Sequence, residues 1–392
     1  MKQLGFSFPP TGPSLQHLFT SFFELGMVSF GGPPMVAYIR TMVVEKKKWL
    51  DDALFQDGVA LCQMIPGIIT MQTAAYVGLR LRGIAGAAAS FLGFGLPAFL
   101  FMTVLSALYV RTAGLPAVVS AFHGLQAIIV ALVAHATFSF GRTSLKSWSD
   151  TLIAGVAFVM FLVGMHPILA VIISGGMGTM FHRRLMSKAV KYKFVAIPYS
   201  RTVFSLLLVL TAVMLAILFF IQRDLFSLAF LMGKITVFAF GGGFTALPLM
   251  FHEIVKVRSW MDAQTFLNGI ALGQITPGPI MITATFVGYL LYGLTGALIA
   301  TLGIFLPSFL IVIGVAPYYE RLHTSPAFTA MIRGILCSFV GLLLSVTIHF
   351  AQNIPWDFQR TILACAAFLA LLLKTQIIWV VVAGIIISVL AL

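Results

Sequence analysis

The chain has 392 residues, 60% hydrophobic and 9% charged, with a mean hydropathy of +1.04. Soluble domains carry roughly 25% charged residues, so the composition describes an integral membrane protein and leaves no room for a soluble catalytic domain. A net charge of +13 would suggest nucleic acid in a soluble protein; here it fits Lys- and Arg-rich cytoplasmic loops beside anionic lipid headgroups, and no nucleic-acid partner is expected.

In chain order, Met1 to Ser14 contains Pro9, Pro10 and Pro13 and lacks the charged n-region of a cleavable signal peptide. Apolar spans then run at 17–41, 52–82, 84–110, 115–140, 150–164 and 167–181. A second series runs at 226–251, 262–291, 294–316, 327–351, 359–373 and 376–392. Judged by length, this predicts about 6+1+6 transmembrane helices. The last two spans of each half are short and read either as crossings or as a re-entrant pair. Span 202–221 has no counterpart in the first half.

The two series are copies. An offset of 210 sets Phe30 on Phe240, Gly31 on Gly241, Gly86 on Gly296 and Pro97 on Pro307. Between them the offset slips to 211, pairing Trp49 with Trp260, Asp51 with Asp262, Gln63 with Gln274 and Gly67 with Gly278. Three regions follow: residues 1–189 as the first transmembrane repeat, 190–222 as a basic linker plus an unpaired inverting helix, and 223–392 as the second repeat. Six crossings return the chain to its starting side, so one extra helix turns the second copy over. Inverted repeats with broken helices at their interface are a common plan of secondary transporters. The fold class is therefore all-α, polytopic, with two inverted-topology helical repeats.

Loop charge agrees in the main. The stretch 182–201 holds Arg183, Arg184, Lys188, Lys191, Lys193 and Arg201, which predicts a cytoplasmic linker in a multi-pass cell membrane protein. Counting outward puts Arg80, Arg82, Arg142 and Lys146 on that side, with Lys256, Arg258, Arg321 and Lys374. Lys46 to Lys48 fall on the opposite side, unless Glu45 to Gln63 forms a re-entrant segment.

Each copy carries two breaks where unbroken helix would be cheaper, since Gly costs a helix interior about 1 kcal/mol and Pro about 3. The first copy has Phe30-Gly31-Gly32-Pro33 and Gln63-Met64-Ile65-Pro66-Gly67. The second has Phe240-Gly241-Gly242-Gly243 and Gln274-Ile275-Thr276-Pro277-Gly278-Pro279. In lipid, broken backbone persists only where protein buries it or it lines a wet cavity. A repeated break therefore reads as a site.

The duplicated FGG-P cluster, the W-[LM]-D turn, the Q-x-x-P-G element and G-x-x-G-A followed by L-P-[SA]-F resemble the chromate ion transporter family in its long two-domain form. The best-matched stretch is Gln274 to Phe309. The resemblance implies export of the tetrahedral dianion chromate from the cytoplasm, driven by the membrane potential or the proton gradient, without a cofactor. Sulfate has similar shape and charge, so a carrier for another small anion, or a passive channel, is the alternative. The first copy departs from the family pattern at Ile68, where a second Pro is usual, and at Glu24, where a basic residue is usual. After Gly32 it also lacks a His often found there. No oligomeric state follows from the sequence, and a homodimer is compatible with it.

A dianion held in mid-membrane suits half-helix N-termini and glycine-lined backbone amides. Pro66-Gly67 and Pro277-Gly278 would open such half-helices. Gly31, Gly32, Gly241, Gly242 and Gly243 would let amides approach the ion. Ser29, Gln63, Gln72, Thr245, Gln274 and Thr276 would add neutral donors, with Thr70 beside them. Gly83, Gly86, Gly293 and Gly296 read as close packing, and Pro97 and Pro307 as kinks. Lys234 is embedded deep in a span and pairs by offset with Glu24. Intramembrane charges are functional candidates by default, so Lys234 is expected to face the anion and Glu24 to pair with it or carry a proton. Arg333 is expected to snorkel, and Arg40 to attract anions at the mouth. His123, His135 and His349 lack metal-ligand spacing. Cys62, Cys337 and Cys365 have no CxxC spacing and read as buried thiols. Acidic residues such as Asp51, Asp52 and Asp262 fall on turns rather than as an opposed pair, so neither an enzyme nor a metal site is expected.

Overall fold

The computed structural model describes residues 12–30, 34–112, 114–182, 200–319, 322 and 324–391. Gly31, Gly32, most of the basic linker and Arg321 lie outside the described residues. Those described form fifteen α-helices and no strand.

Each half begins with two helical hairpins. In the first, α1 (Leu15–Val28) is answered by α2 (Pro34–Arg40) and a π-helical turn, Thr41–Lys46. The return brings the Trp49 ring to 5.5 Å from that of His17. In the second, α3 (Asp52–Met64) is answered by the first arm of α4 (Ile69–Thr112), and the Tyr76 hydroxyl donates to the Leu54 carbonyl at 3.4 Å. A Cβ on Gly58 would collide with the Tyr76 ring, which is why glycine stands there. The W-[LM]-D turn joins the hairpins. Lys48 takes a positive φ of 53°, and Asp51 caps α3 by accepting from the Leu54 amide at 3.0 Å.

Within α4 the chain reverses again at Arg82 and Gly83, where Gly83 has φ 63°. The arms then pack so tightly that a Cβ on Gly78 or Gly86 would strike the other's carbonyl, and the Ser90 hydroxyl donates to Ala74 O at 2.7 Å. Gly86 is the close-packing glycine expected, whereas Gly83 makes the turn. The long arm, 84–112, and α5 (Pro116–Ser144) are the full-length helices of the half. A last hairpin joins α6 (Trp148–Leu162) to α7 (Pro167–His182), so the short terminal pair of spans is antiparallel.

Next comes α8 (Arg201–Ile221), which has no counterpart and buries none of its residues. The second half repeats the plan. Its first hairpin is α9 (Arg223–Phe238) with α10 (Ala246–Phe251) and a π-helical turn, His252–Val257. Its second is α11 (Ala263–Ile275) with the first arm of α12 (Thr283–Val315), which reverses at Tyr292 and Gly293. Then follow α13 (Pro326–Gln352), α14 (Phe358–Leu372) and α15 (Ile377–Ala391).

These hairpins change the account of spans 17–41 and 52–82. At about 1.5 Å per residue, the 14 residues of α1 and the 13 of α3 fall short of the ~30 Å hydrocarbon core. Both spans enter and return instead of crossing. Lys46 to Lys48 therefore leave at the same end as Arg80 and Arg82, whose misplacement relative to each other disappears. For the same reason Lys256 and Arg258 return to the end where α9 begins: Arg258 Nη1 donates to Ser227 Oγ at 2.6 Å. They are opposite Arg142, not beside it as the crossing count had them.

The halves are inverted. Phe91, early in its long arm, packs against Phe305 and Phe309 late in theirs, at 6.5 and 5.0 Å, so the equivalent arms run antiparallel. They also exchange their last hairpins. Helices α6 and α7 pack on α13, while α14 and α15 pack on α5. Gly334 meets the backbone of Ser174 and Gly178, and Gly124 meets Ser388, the same contact made twice.

Candidate functional site

The four hairpin tips converge between the halves. The Gly67 amide donates to Ala239 O at 2.7 Å, and the Gly278 amide donates to Ser29 O at 2.7 Å. Each Pro-Gly tip thus closes on the end of the first helix of the other repeat, a reciprocity that marks a two-fold relation. Gly67 and Gly278 hold φ of 123° and 118°, and a Cβ on either would collide with the facing long arm at Ser308 or Ala98. Their amides are thereby used in joining the repeats and are not open to an ion. Pro66 is half-buried and Pro277 buried, each placed before the half-helix rather than inside its first turn.

One departure between the copies has a direct chemical cause. The Ile68 amide, freed by the break, donates to the Ser308 hydroxyl oxygen at 2.8 Å. At the equivalent place in the second copy stands Pro279, which has no N–H, and the residue facing it is Ala98, which has no hydroxyl. Donor and acceptor are present together or absent together. Gln72 adds a bond from Nε2 to Pro66 O at 2.7 Å.

Around the tips several polar groups remain unpaired. Gln72 is fully buried with Oε1 unsatisfied, Gln274 is 4% exposed with Nε2 unsatisfied, and buried Thr70 has a free hydroxyl. Gly241 and Gly242 take φ of 86° and 115°, and the amides of Gly241, Gly242 and Gly243 find no acceptor among the described residues. These glycines are half-buried, with Thr245 Oγ1 donating to Gly242 O at 2.6 Å. Ser29 and Thr276 spend their hydroxyls on helix carbonyls, those of Leu25 and Leu272. Gln63 is exposed and does not join the cluster, unlike its repeat partner Gln274.

Lys234 has a different partner from the one its offset suggested. Its Nζ donates to Glu253 Oε1 at 2.6 Å, while Glu24 is exposed and without a partner among the described residues. Inversion places offset-related residues in different hairpins, so Lys234 instead finds the carboxylate across its own hairpin. His166, from the turn between α6 and α7, reaches the same oxygen at 2.9 Å. Glu253 was missed from sequence although an acid inside the run LPLMFHEIV is itself a signal. Its π-helical turn, a feature frequent at functional sites, had no sequence mark.

Arg333 does not snorkel. It grips buried Asp150 through Nε and Nη2, at 3.0 and 2.6 Å, and His182 adds a contact at 2.9 Å. This ties α6 and α7 to α13. Arg40 is paired with Glu45 at 2.5 Å and Asp52 at 2.7 Å and so presents little free charge at a mouth. Cys62 and Cys337 are buried, but Cys365 is exposed. No group of metal-binding side chains occurs among the described residues.

Comparison with known proteins agrees with the duplication. The chromate transporter profile matches residues 16–179 and again 226–389. An uncharacterized transporter of Methanocaldococcus jannaschii is 42% identical, covering 94% of this chain and 92% of its own. A chromate transport protein of Cupriavidus metallidurans is 30% identical, covering 92% of this chain and 88% of its own. An uncharacterized transporter of Bacillus subtilis, 32% identical, spends 85% of its length on 42% of this chain, the size of one repeat. No solved structure matches. With both repeats matched and full-length relatives at this identity, the chain belongs to the chromate transporter family.

Proposed function

We propose that the protein is a secondary transporter that exports chromate, or a tetrahedral oxyanion like it, from the cytoplasm. The membrane potential or the proton gradient drives it. The observation that carries this reading is the pair of reciprocal bonds, Gly67 to Ala239 and Gly278 to Ser29. They join each Pro-Gly tip to the end of the other repeat's first helix, beside Gly241 to Gly243, whose amides find no acceptor among the described residues. Neutral amide donors suit a carrier, because a ring of full positive charges would hold a dianion too tightly for release. The relatives named chromate transport proteins suggest the substrate class.

Positive charge sets the orientation. Lys46 to Lys48, Arg80, Arg82, Arg142, Lys146 and Arg201 at the head of α8 gather at one end, which we take as the cytoplasmic end by the excess of Lys and Arg. Uptake of labelled chromate, sulfate and molybdate into inverted vesicles, with and without an uncoupler, tests the function. Saturable chromate uptake that the uncoupler abolishes is expected, and flux that rises linearly without saturation would mean a channel. Cysteine labelling at Lys47 and Arg80 from the inner face, and at Arg258 from the outer, tests the orientation.

A further inference from the structure

The cluster at Glu253 lies apart from the tips and joins three elements. Glu253 sits on the π-helical turn, 6% exposed. From α9, Lys234 Nζ donates to Oε1 at 2.6 Å. From the turn between α6 and α7, His166 Nε2 stands 2.9 Å from the same oxygen. Arg258 Nε lies 4.0 Å from Oε2. His166 Nδ1 accepts the Ile168 amide at 3.2 Å, which places the ring proton on Nε2. His166 Nε2 then faces the Glu253 carboxylate as a donor.

The other titratable groups here are all basic. The His252 ring is 5.0 Å from that of His166, Lys256 lies over the Phe251 ring, and His349 from α13 packs on Phe161 and Phe251. Among the described residues Glu253 is the one carboxylate in the cluster. The symmetry-related place holds nothing like it, with Glu24, Met42 and Gln376 at the positions of Lys234, Glu253 and His166.

Lys234 is 32% exposed and seven residues before Gly241, or about 10 Å along the helix at ~1.5 Å per residue. Locked to a carboxylate, its ammonium offers a dianion no net charge. We propose that Glu253 is a proton switch for Lys234, so that one proton and the oxyanion bind together and cross in the same direction. A proton from water adds to a Glu253 carboxylate oxygen, and the ion pair opens. Lys234, left without its counter-charge, turns to the anion at the glycine tip. On the far side the anion leaves, the proton returns to water, and the pair closes. Linkage makes the effect mutual: protonation raises anion affinity, and the anion raises the affinity of Glu253 for its proton. A dianion moved with one proton still carries one net negative charge, so the membrane potential expels it.

This inference rests on the oxyanion-transport reading, and the test separates the two. The full-length protein is placed in liposomes containing a pH dye, at weakly alkaline pH where chromate is the free dianion, and labelled chromate is added outside. Chromate entry is expected to acidify the lumen beyond protein-free liposomes. Glu253→Gln is expected to keep chromate exchange while moving no protons. A lumen that turns alkaline or stays constant as chromate enters overturns the switch, as does a Glu253→Gln protein that acidifies like wild type. If Glu253→Gln exchanges nothing, Glu253→Asp decides. Chromate-driven acidification with a displaced pH midpoint supports the switch, and its absence overturns it. Wild-type protein that takes up neither chromate, sulfate nor molybdate removes the transport reading itself, and the switch falls with it.

Discussion

The two halves share a backbone plan but divide the chemistry unequally. Reversals occur at matched places, Gly83 and Gly293, and the tips close through matched bonds, Gly67 to Ala239 and Gly278 to Ser29. Charge follows no such symmetry. The second half holds Lys234 and Glu253 in one hairpin, and the first half lends only His166. Backbone geometry is what the duplication keeps, because four tips meet only if both copies hold their shape. Side chains away from those tips differ between the copies: the second buries its ion pair at Glu253, whereas Arg40, Glu45 and Asp52 of the first pair in the open.

The widest break of this comparison is to damage the tips. Gly67→Ala and Gly278→Ala each force a side chain into a positive φ and into the opposite repeat. Both are expected to cost more than about 4 kcal/mol and to yield little monodisperse protein in detergent chromatography. Equal damage from the two would affirm the symmetry, and a tolerated Gly278→Ala would break it. Next in size is the charge asymmetry. Lys234→Met is expected to abolish oxyanion transport in a protein that still folds, whereas Glu24→Gln at the matched position is expected to transport near the wild-type rate. Vesicle uptake compares them directly.

The smallest effect sharpens the comparison most. Ser308→Ala strands the Ile68 amide and is expected to lower stability by about 1–3 kcal/mol, the cost of an unsatisfied buried donor. Adding Ile68→Pro installs the pair found in the other copy and removes the stranded donor. The double variant is expected to regain most of the loss in thermal unfolding.

Much of the frame was legible in the residues themselves. Rare types at a fixed offset, such as Trp49 with Trp260 and Pro97 with Pro307, disclosed the duplication, and Gly and Pro in apolar surroundings marked the tips. Hairpins were harder to see. Two short helices joined by an apolar tip have the length and hydropathy of one crossing, so 17–41 and 52–82 read as spans. Only Lys46 to Lys48, on what then counted as the wrong side, registered the error. Partners of buried charges were also hidden. Asp150 and Arg333 are 183 positions apart, and pairing by offset pointed Lys234 at Glu24, a rule that inversion defeats. The matching of donor and acceptor at Ile68 and Ser308, and their joint loss at Pro279 and Ala98, becomes intelligible only with the facing arm in view.

The exchange of last hairpins between the halves bears on how the chain is made. When the ribosome has delivered α7, the surface of α13 that will receive α6 and α7 has not been synthesised, and α5 still waits for α14 and α15. The nascent first half must be held with these faces uncovered, shielded by lipid or by the insertion machinery, until the final thirty or so residues emerge. Assembly is completed from the C-terminus, and a chain truncated there loses the cover of its own N-terminal half.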